Sequence, residues 1–474
     1  MQKSNSTNRR QFNQRFASLV AAPLSLSVSA LAGCPGSSSV DSNKAIGDPI
    51  SDASVGQGKV TQIPLRVWVI GPIDNADALQ RHWQSYSEQP VEFQSLSPTP
   101  FFESQDCPAD VLVFPSRLIG ELVYRKWIVP LPNSLSTNAE AGVSRKSIES
   151  DSEMESAMLQ SFPQAMLSAA GYGGVQYRLP LGYSSIQVLS SRTVNAISSA
   201  DPQMANTKLT WAELKQRLAS PSDQPTGIEG ALVDADALVD RFLAIAVGTT
   251  SVNPKYGVLL DLRSMKARLL ADEFVFAAEL LRALATQPEG LAALVGSHST
   301  AWQWINETQQ PAYALVSPTL LQWSNRQLDS AALVPITSIS YNSGAGMVVS
   351  LASRCQQTMQ STRFLQWLIG PRALEVMRTG IPGIVQLPSR GPDLADRLIE
   401  SSMRQIEEGL PVNEPRLPGT YAYRQALAQC LIEMLSGKLS LVAALAEASE
   451  RWDKISLQIN HLQSEYEKSL GLNL

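Results

Sequence analysis

Apolar positions along this chain follow two different periods. Residues 65–70 (LRVWVI) form a near-continuous apolar run ended by Gly71-Pro72, which predicts a strand buried on both faces. Asp74 can cap the helix that follows, where Ala78, Leu79 and Trp83 recur at helical spacing. Residues 91–96 (VEFQSL) alternate like a second strand, and 110–114 (DVLVF) read as a third, broken by Pro115. Ser116 can cap the next helix, with Leu118, Ile119, Leu122 and Val123 on one face. A β-α-β-β-α order with apolar strands predicts a mainly parallel sheet covered by helices.

The middle alternates differently. Residues 171–174 (GYGG) lead into 175–190 (VQYRLPLGYSSIQVLS), two extended runs flanking Pro180. Thr210 and Glu213 have capping-box spacing and open a helix through Leu218. Helices are expected over 232–247 and 272–286, the second with Phe274, Ala278, Leu281 and Ala285 as its stripe. Strands are expected at 334–336 and 347–351, around Ser343-Gly344-Ala345-Gly346. The end is helical: Phe364, Leu365, Leu368 and Ile369 form one stripe, and Tyr423, Leu427, Cys430 and Met434 another. Ser440 is expected to open a last helix bearing Leu441, Ala444, Ala448, Trp452 and Ile455.

The N-terminus reads as an address. Residues 1–15 carry Lys3, Arg9, Arg10 and Arg15 and no acid, and 16–33 carry no charge, which is a bacterial export signal spanning 1–33. Arg9-Arg10-Gln11-Phe12 looks like the twin-arginine pattern, although Asn13 and Gln14 are not its usual continuation, so both export routes stay open. Leu31-Ala32-Gly33-Cys34 looks like a lipobox, whose cysteine becomes acylated and anchors the mature chain to a membrane facing the periplasm or the outside. Residues 34–62, rich in Ser, Gly and Asp, read as a flexible tether.

Composition removes several functions. With 38 Lys+Arg against 43 Asp+Glu, the chain lacks the basic excess of a nucleic-acid partner, and loss of 1–33 makes it more acidic still. Three histidines (82, 298 and 461) leave little for a metal centre, so neither metal nor cofactor is expected. No P-loop, HExxH, CxxC, GxSxG or GxGxxG motif occurs, and no catalytic residue is assigned. Cys107, Cys355 and Cys430 allow one disulfide at most, or three free thiols.

Seven segments in order resemble the bacterial extracellular solute-binding proteins of the carbohydrate-binding kind (family 1 type), lipoprotein partners of ABC importers. They are LRVWVIG with its helix and VEFQSL; ADVLVFPSRLIGELVYRKWIVPLP; VQYRLPLGYSSIQVLSS, like the hinge between lobes; TWAELKQRLAS; YGVLLDLRSMKARLLADEFVFAAELLRALA; YNSGAGMVVSLASRCQQTMQSTRFLQWLIGPRALEVM; and GTYAYRQALAQCLIEMLSGKLSLVAALAEASERWDKI. Two places depart from the pattern. Residues 97–109 are too short for the family's full helix, and Gln310-Pro311-Ala312-Tyr313-Ala314-Leu315 stands where the family has a Gly-Lys-Ala-Ala-Met run.

The resemblance implies an α/β fold of two lobes, each a mainly parallel sheet flanked by helices, joined by a multi-crossing hinge. Lobe 1 is expected over 63–180 with about 318–345 returning to it. Lobe 2 is expected over 181–317, with a helical part of about 346–474 packing mainly on it. The implied function is capture of a sugar or oligosaccharide by a monomer that delivers it to an importer permease. Ligands of open α/β sheets bind beyond the carboxyl ends of strands, which nominates Pro72, Asp74, Ser116 and Arg117. Sugars pair aromatic platforms with polar groups, which nominates Tyr183, Trp323 and Tyr421 at the crossings, and Ser343 and Gly344 for their backbone amides. Two alternatives remain: a degenerate solute-binding fold serving as sensor or scaffold, and an exported hydrolase using paired carboxylates such as Asp74 and Asp77, or Glu153 and Glu155.

Overall fold

The first strand, β1 (Leu65–Ile70), runs into helix α1 (Ala76–Gln84), then β2 (Val91–Leu96), the six-residue helix α2 (Pro98–Glu103) and β3 (Val111–Pro115). A 3-10 turn (Ser116–Leu118) continues into α3 (Ile119–Tyr124). A computed structural model describes residues 62–104, 106–132, 135, 171–194, 208–218, 232–251, 257–321, 331–336, 341–384, 394–408 and 412–471. The expected export signal, Cys34, nearly all of the tether, Glu153, Glu155 and Trp323 lie outside these residues.

After the hairpin β4 (Gly171–Tyr172) and β5 (Val175–Gln176) come β6 (Leu179–Pro180) and β7 (Gln187–Ser190). Helices α4 (Trp211–Leu218), α5 (Ala235–Thr249), α6 (Asp272–Ala285), α7 (Gly290–Val295) and α8 (His298–Glu307) follow, then β8 (Tyr313–Val316), β9 (Ala332–Val334), β10 (Tyr341–Asn342) and β11 (Met347–Leu351). The last part is α9 (Thr358–Leu368), α10 (Pro371–Arg378), α11 (Leu394–Glu408), β12 (Val412–Asn413), α12 (Thr420–Leu435), α13 (Leu441–Ser456) and α14 (Leu462–Ser469).

Two sheets organise two lobes. The first has the order β2-β1-β3-β11-β6, with β1, β2 and β3 parallel and β11 antiparallel to both β3 and β6. The two-residue period of β3 sends Val111 and Val113 to a core with Leu79, Trp83 and Phe364, while Leu112 and Phe114 face Phe101, Ile119 and Trp127. Both faces are thus covered, as an apolar strand requires. The second sheet, β8-β7-β9, is antiparallel throughout rather than mainly parallel. The cause is connectivity: β7 leaves the hinge, whereas β8 and β9 each lead back to it. Val188 and Leu315 face α5 and α6, while Leu189, Ala314 and Val316 face Ile305 of α8 and Leu398 of α11.

The return to lobe 1 differs from the expected 318–345. Residues 332–334 pair within the second sheet, and the chain re-enters the first at Met347. Residues through Ile384 then stay in its core, because the α9 and α10 stripes fit the face carrying Leu65, Val67 and Val113. Only from α11 onward does the C-terminal part pack on the second lobe, through Leu398, Leu427, Leu431, Ala444 and Trp452.

Local details also differ. Asn75, not Asp74, is the N-cap of α1; its amide donates to the Val376 carbonyl and, at 3.0 Å, to Thr379 Oγ1. Ser116 makes no cap, its Oγ donating instead to the Gly344 carbonyl at 3.2 Å. The Thr210–Glu213 box forms in both directions, at 3.2 and 2.7 Å. The helix opened by Ser440 is followed by α14, so it is not the last. Segment 97–109 contains the short α2, with Pro98 in its first turn. Cys107, Cys355 and Cys430 are free thiols, and burial pushes Cys107 and Cys430 up to about 11.

Candidate functional site at the lobe junction

Three stretches meet where β3 ends. Pro115 stops the strand, and the following turn places the Ser116 and Arg117 amides 2.9 Å from the carbonyls of Gly346 and Gly344. Gly344 adopts φ +65, and a Cβ there would sit 2.7 Å from Arg117 Cβ, so glycine is required on both counts. A Cβ on Gly346 would meet Tyr183 Cα at 2.3 Å. The crossing 343–346 is therefore packed directly against the crossing 181–186, and the Ser343 amide donates to the Ser184 carbonyl at 3.1 Å.

Of the nominated residues, Ser116, Arg117, Tyr183, Ser343 and Gly344 come together here. Pro72 and Asp74 are exposed, and the Asp74 amide donates to the Gly380 carbonyl at 3.0 Å. Tyr183 is buried, its hydroxyl donating to the Ile399 carbonyl at 3.2 Å, and Ser343 is also buried. Tyr421, half-buried at the start of α12, exchanges a 2.8 Å hydrogen bond with Thr99 of α2. The paired Asp74 and Asp77 are both exposed.

Arg117 leads to residues that sequence reading missed. Its Nη2 donates to Asp236 Oδ2 at 2.7 Å, and its Nη1 lies 3.8 Å from Asp240 Oδ1. Both carboxylates belong to α5 of the second lobe, on one face at i, i+4 spacing. From α12, Arg424 reaches the same pair: Nε to Asp236 Oδ1 at 2.7 Å and Nη2 to Asp240 Oδ1 at 2.6 Å, while its Nη1 holds Glu414 Oε1 at 2.7 Å. Two guanidinium ions thus face three carboxylates. Only Asp236 is appreciably exposed, with 37% of its side chain accessible.

Burial and charge divide the three acids. Burial pushes Asp236 up, but Arg117 and Arg424 outweigh it and hold the carboxyl at about 2. Burial dominates at Glu414, raising it to about 7 despite Arg424, and at Asp240, which is also raised. The neighbouring Tyr341 is pushed well above the usual phenol range by burial and by Glu414. Tyr341 lines a recess with Ser185, Gln187, Trp211 and Gln405, and among the described residues neither its hydroxyl nor the Trp211 indole N–H has a hydrogen-bond partner. Such buried donors call for an acceptor, water or ligand. His298 is structural: its Nδ1 accepts the Ser317 amide at 3.1 Å, and burial holds it well below the usual imidazole range.

A signal for the network was present. Asp236, Asp240 and Arg241 punctuate an otherwise largely apolar helix, and such charges are rarely buried unpaired. Glu414 is followed by Pro415 and by Pro418, a short irregular segment, which hid its role.

Neither a protein-family profile nor a curated protein matches this chain by sequence. Solved structures do resemble it. An ABC-transporter solute-binding protein from Agrobacterium radiobacter K84, in complex with ribitol, superposes with a TM-score of 0.59 at 16% identity, over 83% of this chain and 98% of that one. The sugar-binding protein MalE from Xanthomonas citri gives 0.56 at 15% identity, over 84% and 98%. The extracellular solute-binding protein from Staphylococcus aureus, in complex with maltose, gives 0.53 at 14% identity, over 83% and 98%. The fold is therefore that of the two-lobed solute-binding proteins.

Proposed function

We propose that this chain is an exported, lipid-anchored solute-binding protein that takes up a sugar-like solute between its lobes and delivers it to an ABC importer. The observation that carries this reading is the superposition over more than four-fifths of the chain on a ribitol complex, a maltose complex and a sugar-binding protein. The crossings at 181–186 and 343–346 lie beyond the carboxyl end of β3, and that position supports the reading because open α/β sheets bind ligands beyond their strand ends. Anchoring through Cys34 rests on the sequence pattern. No catalytic step is assigned.

Capture needs only that the solute prefer the closed lobes to the open ones. The test is thermal unfolding of the protein against sugars, oligosaccharides, polyols and amino acids. A ligand at about 100 times its Kd adds about 2.7 kcal/mol to the native state. At about 2–4 °C per kcal/mol, the midpoint rises by about 5–10 °C. A rise confined to one chemical class supports capture and names that class. One observation favours the second reading, a sensor or scaffold that keeps the fold without transport: Arg117, Tyr183 and Tyr421 are all engaged by other parts of the chain. A cooperative protein with no shift from any solute would move the conclusion there.

A further inference from the structure

Open α/β sheets bind ligands beyond the carboxyl ends of their strands, yet Arg117, just after β3, makes its contacts with the opposite lobe. Its side chain is 9% exposed, and the guanidinium lies against Asp236 and Asp240 of α5. Among the described residues, Arg117 is the one member of this network supplied by the first lobe; Asp236, Asp240, Glu414 and Arg424 belong to the second. Around it the seam is closed by backbone. A Cβ on Gly120 of α3 would stand 1.7 Å from the Arg416 carbonyl oxygen, so the two segments touch there with no side chain between them. The Gly419 amide donates to Glu121 Oε2 at 2.6 Å, and Tyr421 meets Thr99.

We infer that the two lobes latch onto each other without a solute, through an ion-pair network in which Arg117 of the first lobe occupies the carboxylates of the second. Charge balance explains why the latch holds. Closed, two arginines serve three carboxylates; open, Arg424 alone is left to serve them, and Arg117 loses its partners. Removing one partner from a buried ion pair is strongly unfavourable, because the other charge stays desolvated. A solute therefore enters by taking over the partners of Arg117. Its apparent affinity is reduced by the fraction of molecules that are open, so a latch open 1% of the time weakens binding about 100-fold.

Hydrogen exchange of the full-length protein without any solute tests this. In the wild type, peptides covering 116–120 and 415–421 are protected, the Gly419 amide directly by its bond across the seam. In Arg117→Ala these peptides exchange about 100-fold faster or more, while β3 and the middle of α5 keep their protection. Asp236→Asn removes the primary partner and raises exchange in the same peptides about ten-fold or more. Should Arg117→Ala lose protection everywhere, Asp236→Asn decides, since Asp236 is the most exposed member and Arg424 retains Asp240 and Glu414. Seam peptides unprotected in the wild type, or unchanged in Asp236→Asn, overturn the latch. Because no solute is present, either result leaves solute capture to its own test.

Discussion

Gly120→Ala pits two opposite expectations against each other at the lobe junction. Gly120 lies inside α3 and has no left-handed φ, so helix propensity alone would make alanine stabilising by about 1 kcal/mol. The seam reverses the sign. The new Cβ would sit 1.7 Å from the Arg416 oxygen, 2.6 Å from its carbonyl carbon and 2.9 Å from the Leu417 carbonyl carbon. All three are backbone atoms and cannot swing aside. Restoring an ordinary contact of about 3.5 Å requires α3 and the 416–417 segment to part by nearly 2 Å. Both flanks resist: Arg416 is held by the Gly171 and Ser469 carbonyls at 2.7 and 2.6 Å, and Gly419 by Glu121. Overpacking of this kind costs about 1–3 kcal/mol, which exceeds the propensity gain. Urea unfolding should give a net loss of up to about 2 kcal/mol, with faster exchange at 415–421. A variant about 1 kcal/mol more stable than the wild type would refute the reasoning, because it would mean that the seam yields without cost.

Three further outcomes follow from other parts of the molecule. Trp83 is 1% exposed, stacks edge-on against Phe364 and Trp367, and donates to the Gln89 carbonyl at 2.6 Å; Trp83→Ala should cost about 3–5 kcal/mol by chemical denaturation. Glu414, raised to about 7 in the folded protein, binds its proton more tightly there than in the unfolded chain. Its contribution to stability is full below about 4.5 and fades as pH rises through 7. Between pH 5 and 8, the melting temperature of Glu414→Gln should fall less with pH than that of the wild type, and parallel curves would remove Glu414 as the cause. Thr210→Ala breaks the capping box of α4 and should cost about 1 kcal/mol, whereas Glu213→Gln should cost less because a neutral acceptor remains.

The first lobe was legible because its strands are buried on both faces and leave unbroken apolar runs such as 65–70. The second sheet was less so. Residues 332–334 are short and half-buried, and nothing local says that they pair with β7 rather than return to the first sheet. Caps were misplaced by one position, Asp74 for Asn75, because either side chain suits that role and tertiary contacts chose between them. Arg117 was visible as a residue of the site, but its partners were not. Its carboxylates lie more than a hundred residues away on α5, and only the hinge brings them near. Arg241 shows the same limit: it is fully buried and donates to the Leu294, Gly296 and Leu315 carbonyls, partners 53 to 74 residues away that its own helix does not reveal.

The place of β11 inside the first sheet, between β3 and β6, has a consequence for how the protein is made. That strand is synthesised about 230 residues after β3. At about 5–20 residues per second, β3 waits on the order of 10–50 s for its neighbour. Throughout that interval one edge of the nascent β2-β1-β3 unit is open, with the β3 backbone groups that later pair with β11 still unpaired. The N-terminal lobe is thus unfinished until long after its first three strands have emerged. A chaperone that shields this edge, or a translocation route that accepts the chain before residue 351 emerges, suits such a sequence better than folding in the order of synthesis.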